Sequence, residues 1–368
     1  MSVRSDPGPS SVPPVIVIGG GQSGLAAARA LREVRMPTVI LEAGDRPAGS
    51  WPRYYDSLRV FSPAGYSSMA GMPFPGDADR YPGRDEVADY LERYAAGLDV
   101  EIQTNTRVQT IRQDGKRFLV VTDDGRMLPA SGVVAASGSF SNPFRPRFEG
   151  EETFTGDLMH VAAYRNPAPY AGKRVIVVGA GDSAAQIANE LAPTATVTAA
   201  TRHPFRFIPQ QLDGKDAHYW FRETGFDTLP AVWLSTIIGG SVVTDSVGFQ
   251  RTLTEGLVDR RPMFTALDGG RVVWSDGERE PVDAIILATG YRPSLSYLRE
   301  IGAVDEHAAP RHVGGISSTH VGLVHVGLEY QRSYASNTLR GVSEDATAVV
   351  TPLVAWIRDA PTRVGLVP

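Results

Sequence analysis

The sequence predicts an α/β protein with two dinucleotide-binding units, and three observations carry that reading. Val15-Ile16-Val17-Ile18 is a buried-strand run that passes directly into Gly19-Gly20-Gly21-Gln22-Ser23-Gly24 and then into the helix formers Leu25 to Leu31. The same device returns at Val175-Ile176-Val177-Val178, followed by Gly179-Ala180-Gly181-Asp182-Ser183-Ala184 and more helix formers. Each unit then closes with a buried strand and a glycine, Val133 to Gly138 in the first and Ala284 to Gly290 in the second. A closing glycine lets the chain pass close to a cofactor as it crosses between domains.

The glycine turns explain themselves physically. Glycine permits the tight bend and the close approach of backbone to a pyrophosphate, whose charge then sits at the positive end of the new helix. One such turn is a weak signal; two in one chain are a strong one. The end of the following strand separates the two sites. Glu42 stands about 20 residues beyond Gly19, where a carboxylate can accept from a ribose 2′-hydroxyl. Arg202 stands at the matching place in the second unit, where a cation suits a 2′-phosphate. The simplest assignment is FAD in the first site and NADPH in the second, with NADH as a further candidate there.

Totals narrow the chemistry. At 368 residues the chain can form two or three domains with cores of their own. A net charge of −5 and the lack of a basic stripe with interleaved aromatics argue against nucleic acid. The most apolar stretch, Ala231 to Val243, is broken by Gly239-Gly240 and too short to span a bilayer. Residues 1–13 lack an apolar core and are expected to be a flexible tail on a cytoplasmic protein. The chain has no cysteine, so electrons cannot pass from flavin to a dithiol pair. Its seven histidines show no metal-ligand spacing, so no metal is expected.

In order, the first strand–turn–helix–strand ends near Glu42, its helix stopping by Met36-Pro37. Ala43 to Pro82 is a long, aromatic-rich loop, and its apolar residues need a packing partner, for which a flavin ring is the candidate. Asp85 is placed to cap the next helix, which buries Val87, Tyr90, Leu91 and Tyr94. Arg107 to Pro129 reads as an antiparallel meander turning at Asp114-Gly115 and Asp124-Gly125, and Arg271 onwards repeats that plan. Residues 204–263 lack a clear pattern and are taken as an insertion, either lining substrate access or merely elaborating the surface. The tail ends in a helix whose N-terminus, expected around Ser336-Asn337, would point positive charge at a flavin edge.

Residues 154–164 read Phe-x-Gly-x-x-x-His-x-x-x-Tyr, from Phe154 through Gly156 and His160 to Tyr164. That pattern, lying between the two glycine turns, resembles the fingerprint F-x-G-x-x-x-H-x-x-x-F/Y of the flavin-containing monooxygenases. The likeness runs from Val15 to about Val350, and is nearest to the small bacterial members of this class B flavoprotein monooxygenase family. It implies two nested Rossmann-like domains in a glutathione-reductase-like three-layer architecture. Residues 14–153 and 282–368 would form a discontinuous FAD domain, and residues 154–281 the NAD(P)H domain carrying the insertion at about 204–263. It also implies that NAD(P)H reduces FAD, that O₂ adds as a C4a-hydroperoxide, and that one oxygen passes to a small soft nucleophile such as sulfur or nitrogen. Related enzymes are often homodimers.

By matched position, Gly19, Gly21, Gly24 and Glu42 would bind FAD, with Gln22 and Ser23 in the same turn, Trp51 beside the flavin and Asn337 at its far edge. Gly179, Gly181, Asp182, Ser183, Gln186 and Arg202 would bind the nicotinamide nucleotide. Gly138, Thr289 and Gly290, at the domain crossings, are also expected to contact the cofactors. His160 falls on the fingerprint histidine at the domain junction and either couples domain geometry to turnover or is a hydrogen-bonded structural residue. No side chain is singled out as catalytic, since the cofactor carries the chemistry. Tyr164 suits the monooxygenase form of the fingerprint, whereas a Trp there marks the Baeyer-Villiger form, so ketone oxygenation stays a lesser alternative. Three departures stand out: Ser137 in place of a threonine, Ala184 in place of a third glycine, and no asparagine within residues 62–76. The last favours the alternative of an NAD(P)H oxidase or reductase that releases H₂O₂.

Overall fold

A computed structural model describes residues 12–237 and 242–359. The expected tail lies outside them apart from Val12 and Pro13. Seven α-helices are described: α1 (Gln22–Glu33), α2 (Arg84–Ala96), α3 (Asp182–Leu191), α4 (Ala217–Glu223), α5 (Ala231–Ile237), α6 (Phe249–Thr254) and α7 (Val342–Asp359).

The first sheet has strands in the order 312–313, 316–317, 323–325, 132–135, 15–18, 38–41 and 101–103. Val15–Ile18, beside the central strand Gly132–Ala135, is parallel to it on one side and to Thr38–Leu41 on the other. All four of its residues are buried, because alternate side chains feed two different cores. Val15 and Val17 pack with Leu25 of α1, Leu91 of α2 and Val350 of α7. Ile16 and Ile18 pack with Ile111, Phe118 and Val120 of the three-stranded meander 108–130. Helices, parallel sheet and meander make the three layers.

The second sheet repeats the scheme with strands 258–262, 196–201, 174–178, 284–287 and 157–160. Val175 and Val177 pack towards Ile187 and Leu191 of α3 and Phe249 of α6, while Ile176 and Val178 pack towards Val272 and Trp274 of a second small meander. The chain enters this sheet along Asp157–His160 and leaves along Ala284–Leu287, and these two strands are parallel neighbours. The two crossing segments therefore run side by side.

Local expectations differ from the structure at three places. The stretch 204–263 includes an edge strand of the second sheet, Val258–Pro262, parallel to Thr196–Thr201. Its polar sequence hid it: Arg261 lies over the Trp274 ring at 4.2 Å and pairs with Asp276 at 3.1 Å and Glu278 at 2.8 Å. Helix α2 is capped at Gly83, whose N–H donates to Glu86 Oε2 at 2.8 Å, and Asp85 sits inside the first turn. The last helix begins at Val342, because Asn337 has a left-handed backbone with φ of 68°. Ser336-Asn337 is thus not a helix N-terminus.

Candidate active site

A cavity of about 1650 Å³ lies where the two glycine turns face each other. Every expected cofactor residue except Gly24 lines it, whereas Phe154, Gly156, His160 and Tyr164 do not. Gly24 acts beneath the surface: a Cβ there would fall 1.8 Å from the Gly19 carbonyl oxygen, so only glycine lets α1 begin against that strand. Gly19 itself has φ of 108° and touches the Ala136 backbone. In the second turn Gly179 has φ of 138°, and Gly181, the residue before α3, faces open space.

Glu42 is buried at the end of its strand. Its Oε2 accepts from Gly20 N–H at 2.5 Å and its Oε1 from Gly44 N–H at 2.6 Å, so the carboxylate is fixed in orientation with acceptor capacity left over. Gln22 at the start of α1 links two distant segments: its Oε1 accepts from Trp51 Nε1 at 2.9 Å, and its Nε2 donates to the Asn337 carbonyl at 2.6 Å. Asp182 Oδ1 accepts from Thr244 N–H at 3.0 Å, and burial pushes its carboxyl up to about 7. Arg202 is exposed on the cavity rim, and no carboxylate pairs with it among the described residues.

The long loop after Glu42 contributes residues that pattern reading missed. Tyr54 and Tyr55 line the cavity, and Tyr55 OH donates to Gln186 Oε1 at 2.8 Å, tying this loop to α3. Trp51, Tyr54, Phe140 and Tyr291 form a run of edge-on rings with centroids 5.6, 5.3 and 4.9 Å apart, and His160 continues it at 4.9 Å from Tyr291. Burial raises the hydroxyls of Tyr54, Tyr55 and Tyr291 above the usual phenol range, so they are neutral at ordinary pH. Glu329, Tyr330 and Tyr334 close another side. For Tyr54 and Tyr55 the sequence signal was the density of aromatics around Trp51.

The fingerprint residues form the joint behind the cavity. His160 is buried; its Nδ1 accepts from Ala162 N–H at 3.1 Å, which leaves the proton on Nε2 to donate to Gly290 O at 3.0 Å. Burial lowers its pKa and keeps it neutral. Tyr164 OH donates to Glu190 Oε2 at 2.8 Å. A Cβ on Gly156 would lie 2.7 Å from both the Asp283 carbonyl oxygen and the Phe154 ring. His160 is thus hydrogen-bonded through both ring nitrogens at the junction.

Among the described residues there is no cluster fit to hold a metal ion, and no helix is long and apolar enough to cross a membrane. Compared with known proteins, residues 16–223 match the family model described as pyridine nucleotide-disulphide oxidoreductase. An uncharacterized CzcO-like oxidoreductase of Geobacillus kaustophilus is 31% identical over 345 residues, 92% of this chain and 98% of that protein. Indole-3-pyruvate monooxygenase YUCCA1 of Oryza sativa subsp. japonica is 30% identical over 79% of this chain and 80% of its own. A solved flavin-containing monooxygenase from Stenotrophomonas maltophilia superposes with a TM-score of 0.83 at 32% identity, covering 94% of this chain and 99% of that one. With no cysteine, the chain cannot perform the disulphide chemistry in the first description. It belongs to the pyridine nucleotide-disulphide oxidoreductase family, and within that family to the flavin-containing monooxygenases.

Proposed function

We propose that this flavin-dependent monooxygenase holds FAD against the first glycine turn, takes electrons from NADPH bound at the second, and transfers one oxygen atom of O₂ to a small soft nucleophile, sulfur or nitrogen. The observation that carries the reading is the single cavity onto which both turns open, in a chain without a cysteine that could accept the electrons. Bound there, the flavin supplies electron transfer from the nicotinamide and the activation of O₂.

The chain's own residues fit the two nucleotides. Free N–H groups of the first turn of α1 meet the FAD pyrophosphate, and Glu42, clamped by Gly20 and Gly44, accepts from a ribose hydroxyl. The open space above Gly181 admits the second pyrophosphate, and the unpaired Arg202 meets the 2′-phosphate. Trp51, braced through Gln22, and the Tyr54–Phe140–Tyr291 run wall the cavity with apolar surface and keep water from the reacting centre.

The test is to titrate NADPH consumption against oxygenated product and H₂O₂, using simple thioethers and tertiary amines in air. Stoichiometric product supports oxygen transfer. Peroxide equal to the NADPH consumed with every substrate would replace it with the oxidase reading, which the lack of an asparagine within residues 62–76 favours.

A further inference from the structure

One carboxylate in the cavity has no role in holding either nucleotide as assigned above. Glu329 follows the strand Leu323–His325 and lines the cavity. The chain before it is pinned, since Gly327 has φ of 88° and a Cβ there would lie 1.9 Å from Ser23 Oγ at the head of α1. The residue after it, Tyr330, is held at φ of 51°, a conformation that a bulky side chain adopts only when its surroundings impose it. Glu329 and Tyr330 both line the cavity and are exposed there. Tyr334 joins them, its ring centroid 6.2 Å from that of Tyr330.

Acidic groups outnumber cations around Tyr330 and Tyr334. No hydrogen bond or ion pair joins the Glu329 carboxylate to any other described residue, and Glu329 is exposed where it lines the cavity. Arg340, which acts on Tyr334, grips the Asp227 carboxylate through Nε and Nη2 at 2.9 and 2.7 Å, while its buried Nη1 has no partner among the described residues. The other groups facing the corner are Asp182, and Tyr330 and Tyr334, whose hydroxyls burial pushes up and keeps neutral. What remains is an unpaired acid beside two aromatic faces, the environment that attracts an organic cation.

We infer that Glu329, Tyr330 and Tyr334 form a specificity subsite for a cationic nitrogen, an ammonium or alkylammonium group carried by the substrate. The inference rests on the proposed oxygen transfer in this cavity and adds a preference for positively charged substrates over neutral ones of equal size.

The test uses the FAD-loaded enzyme and two thioethers with the same reacting sulfur, methylthioethylamine and its uncharged counterpart methylthioethanol. Glu329→Gln keeps the shape and removes the charge. The expected result is a KM for the amine raised about tenfold, with KM for the alcohol and for NADPH changed less than about twofold. Equal changes for amine and alcohol, a raised KM for NADPH, or FAD lost from the variant would overturn the subsite and make Glu329 a cofactor contact or a packing residue. If neither thioether is oxygenated, oxygen transfer to them no longer reads the subsite. The subsite is then read by titrating both compounds against the flavin absorbance, where tighter binding of the amine that Glu329→Gln abolishes supports it and equal binding overturns it.

Discussion

His160 Nε2 donates to the Gly290 carbonyl at 3.0 Å, tying the segment by which the chain enters the second sheet to the one by which it leaves. With Nδ1 accepting from Ala162 N–H, both ring nitrogens are used inside the protein. His160→Leu would strand a buried acceptor and a donor, at a cost of about 2–4 kcal/mol. The expected outcome is a clearly lower denaturation midpoint, with a smaller loss in His160→Gln. A loss below about 0.5 kcal/mol in the leucine variant would show that the joint depends on the strand pairing alone.

Arg202 governs the choice of nucleotide if its exposed guanidinium meets the 2′-phosphate. Arg202→Ala should raise KM for NADPH about ten- to a hundredfold and leave KM for NADH nearly unchanged. Steady-state oxidation of both nucleotides in air measures this. Equal shifts would remove Arg202 from the phosphate site.

The two glycine turns should respond differently to the same substitution. A methyl group on Gly24 collides with the Gly19 carbonyl oxygen, so Gly24→Ala should displace the start of α1 and yield protein that retains little flavin. A methyl group on Gly181 meets nothing within 4 Å. Gly181→Ala should fold, keep its flavin and lose affinity for NADPH, because the methyl occupies the space intended for the pyrophosphate. Flavin content per chain and KM for NADPH separate the two outcomes; a Gly181→Ala enzyme with unaltered KM would place the nucleotide elsewhere.

How much of this was legible in the sequence follows from the range of the interactions. Val15 to Gly24 and Val175 to Gly181 encode strand, turn and helix start within a few residues, so both turns could be read directly. The corner at Glu329 and Tyr330 could not, because its shape depends on Gly327 against Ser23 and on a strained backbone, neither of which leaves a periodic trace. Asp227 and Arg340 are likewise distant in sequence and meet only through the fold. Strand 258–262 was hidden for a different reason: the Arg261 guanidinium lies over the Trp274 ring and pairs with Asp276 and Glu278 of the neighbouring meander. Pattern reading finds cradles made of backbone; walls made of side chains from several segments need the folded chain.

His325 sets the acid limit of the fold. It is fully buried in the first sheet, neither ring nitrogen has a hydrogen-bond partner among the described residues, and the ring of His312 lies 5.7 Å away. Desolvation, followed by the proximity of His312, pushes its pKa down to about 4 from a normal 6.5. A histidine whose folded pKa is depressed leaves the unfolded chain binding more protons in between, so its contribution to stability is complete above about pH 6.5 and is lost as pH falls towards 4. The loss is on the order of 3 kcal/mol. His312, lowered by burial, acts in the same direction. Urea unfolding at pH 8 and at pH 4.5 should show wild type losing more stability than His325→Leu. The same loss in both proteins would assign the acid sensitivity to the carboxylates instead.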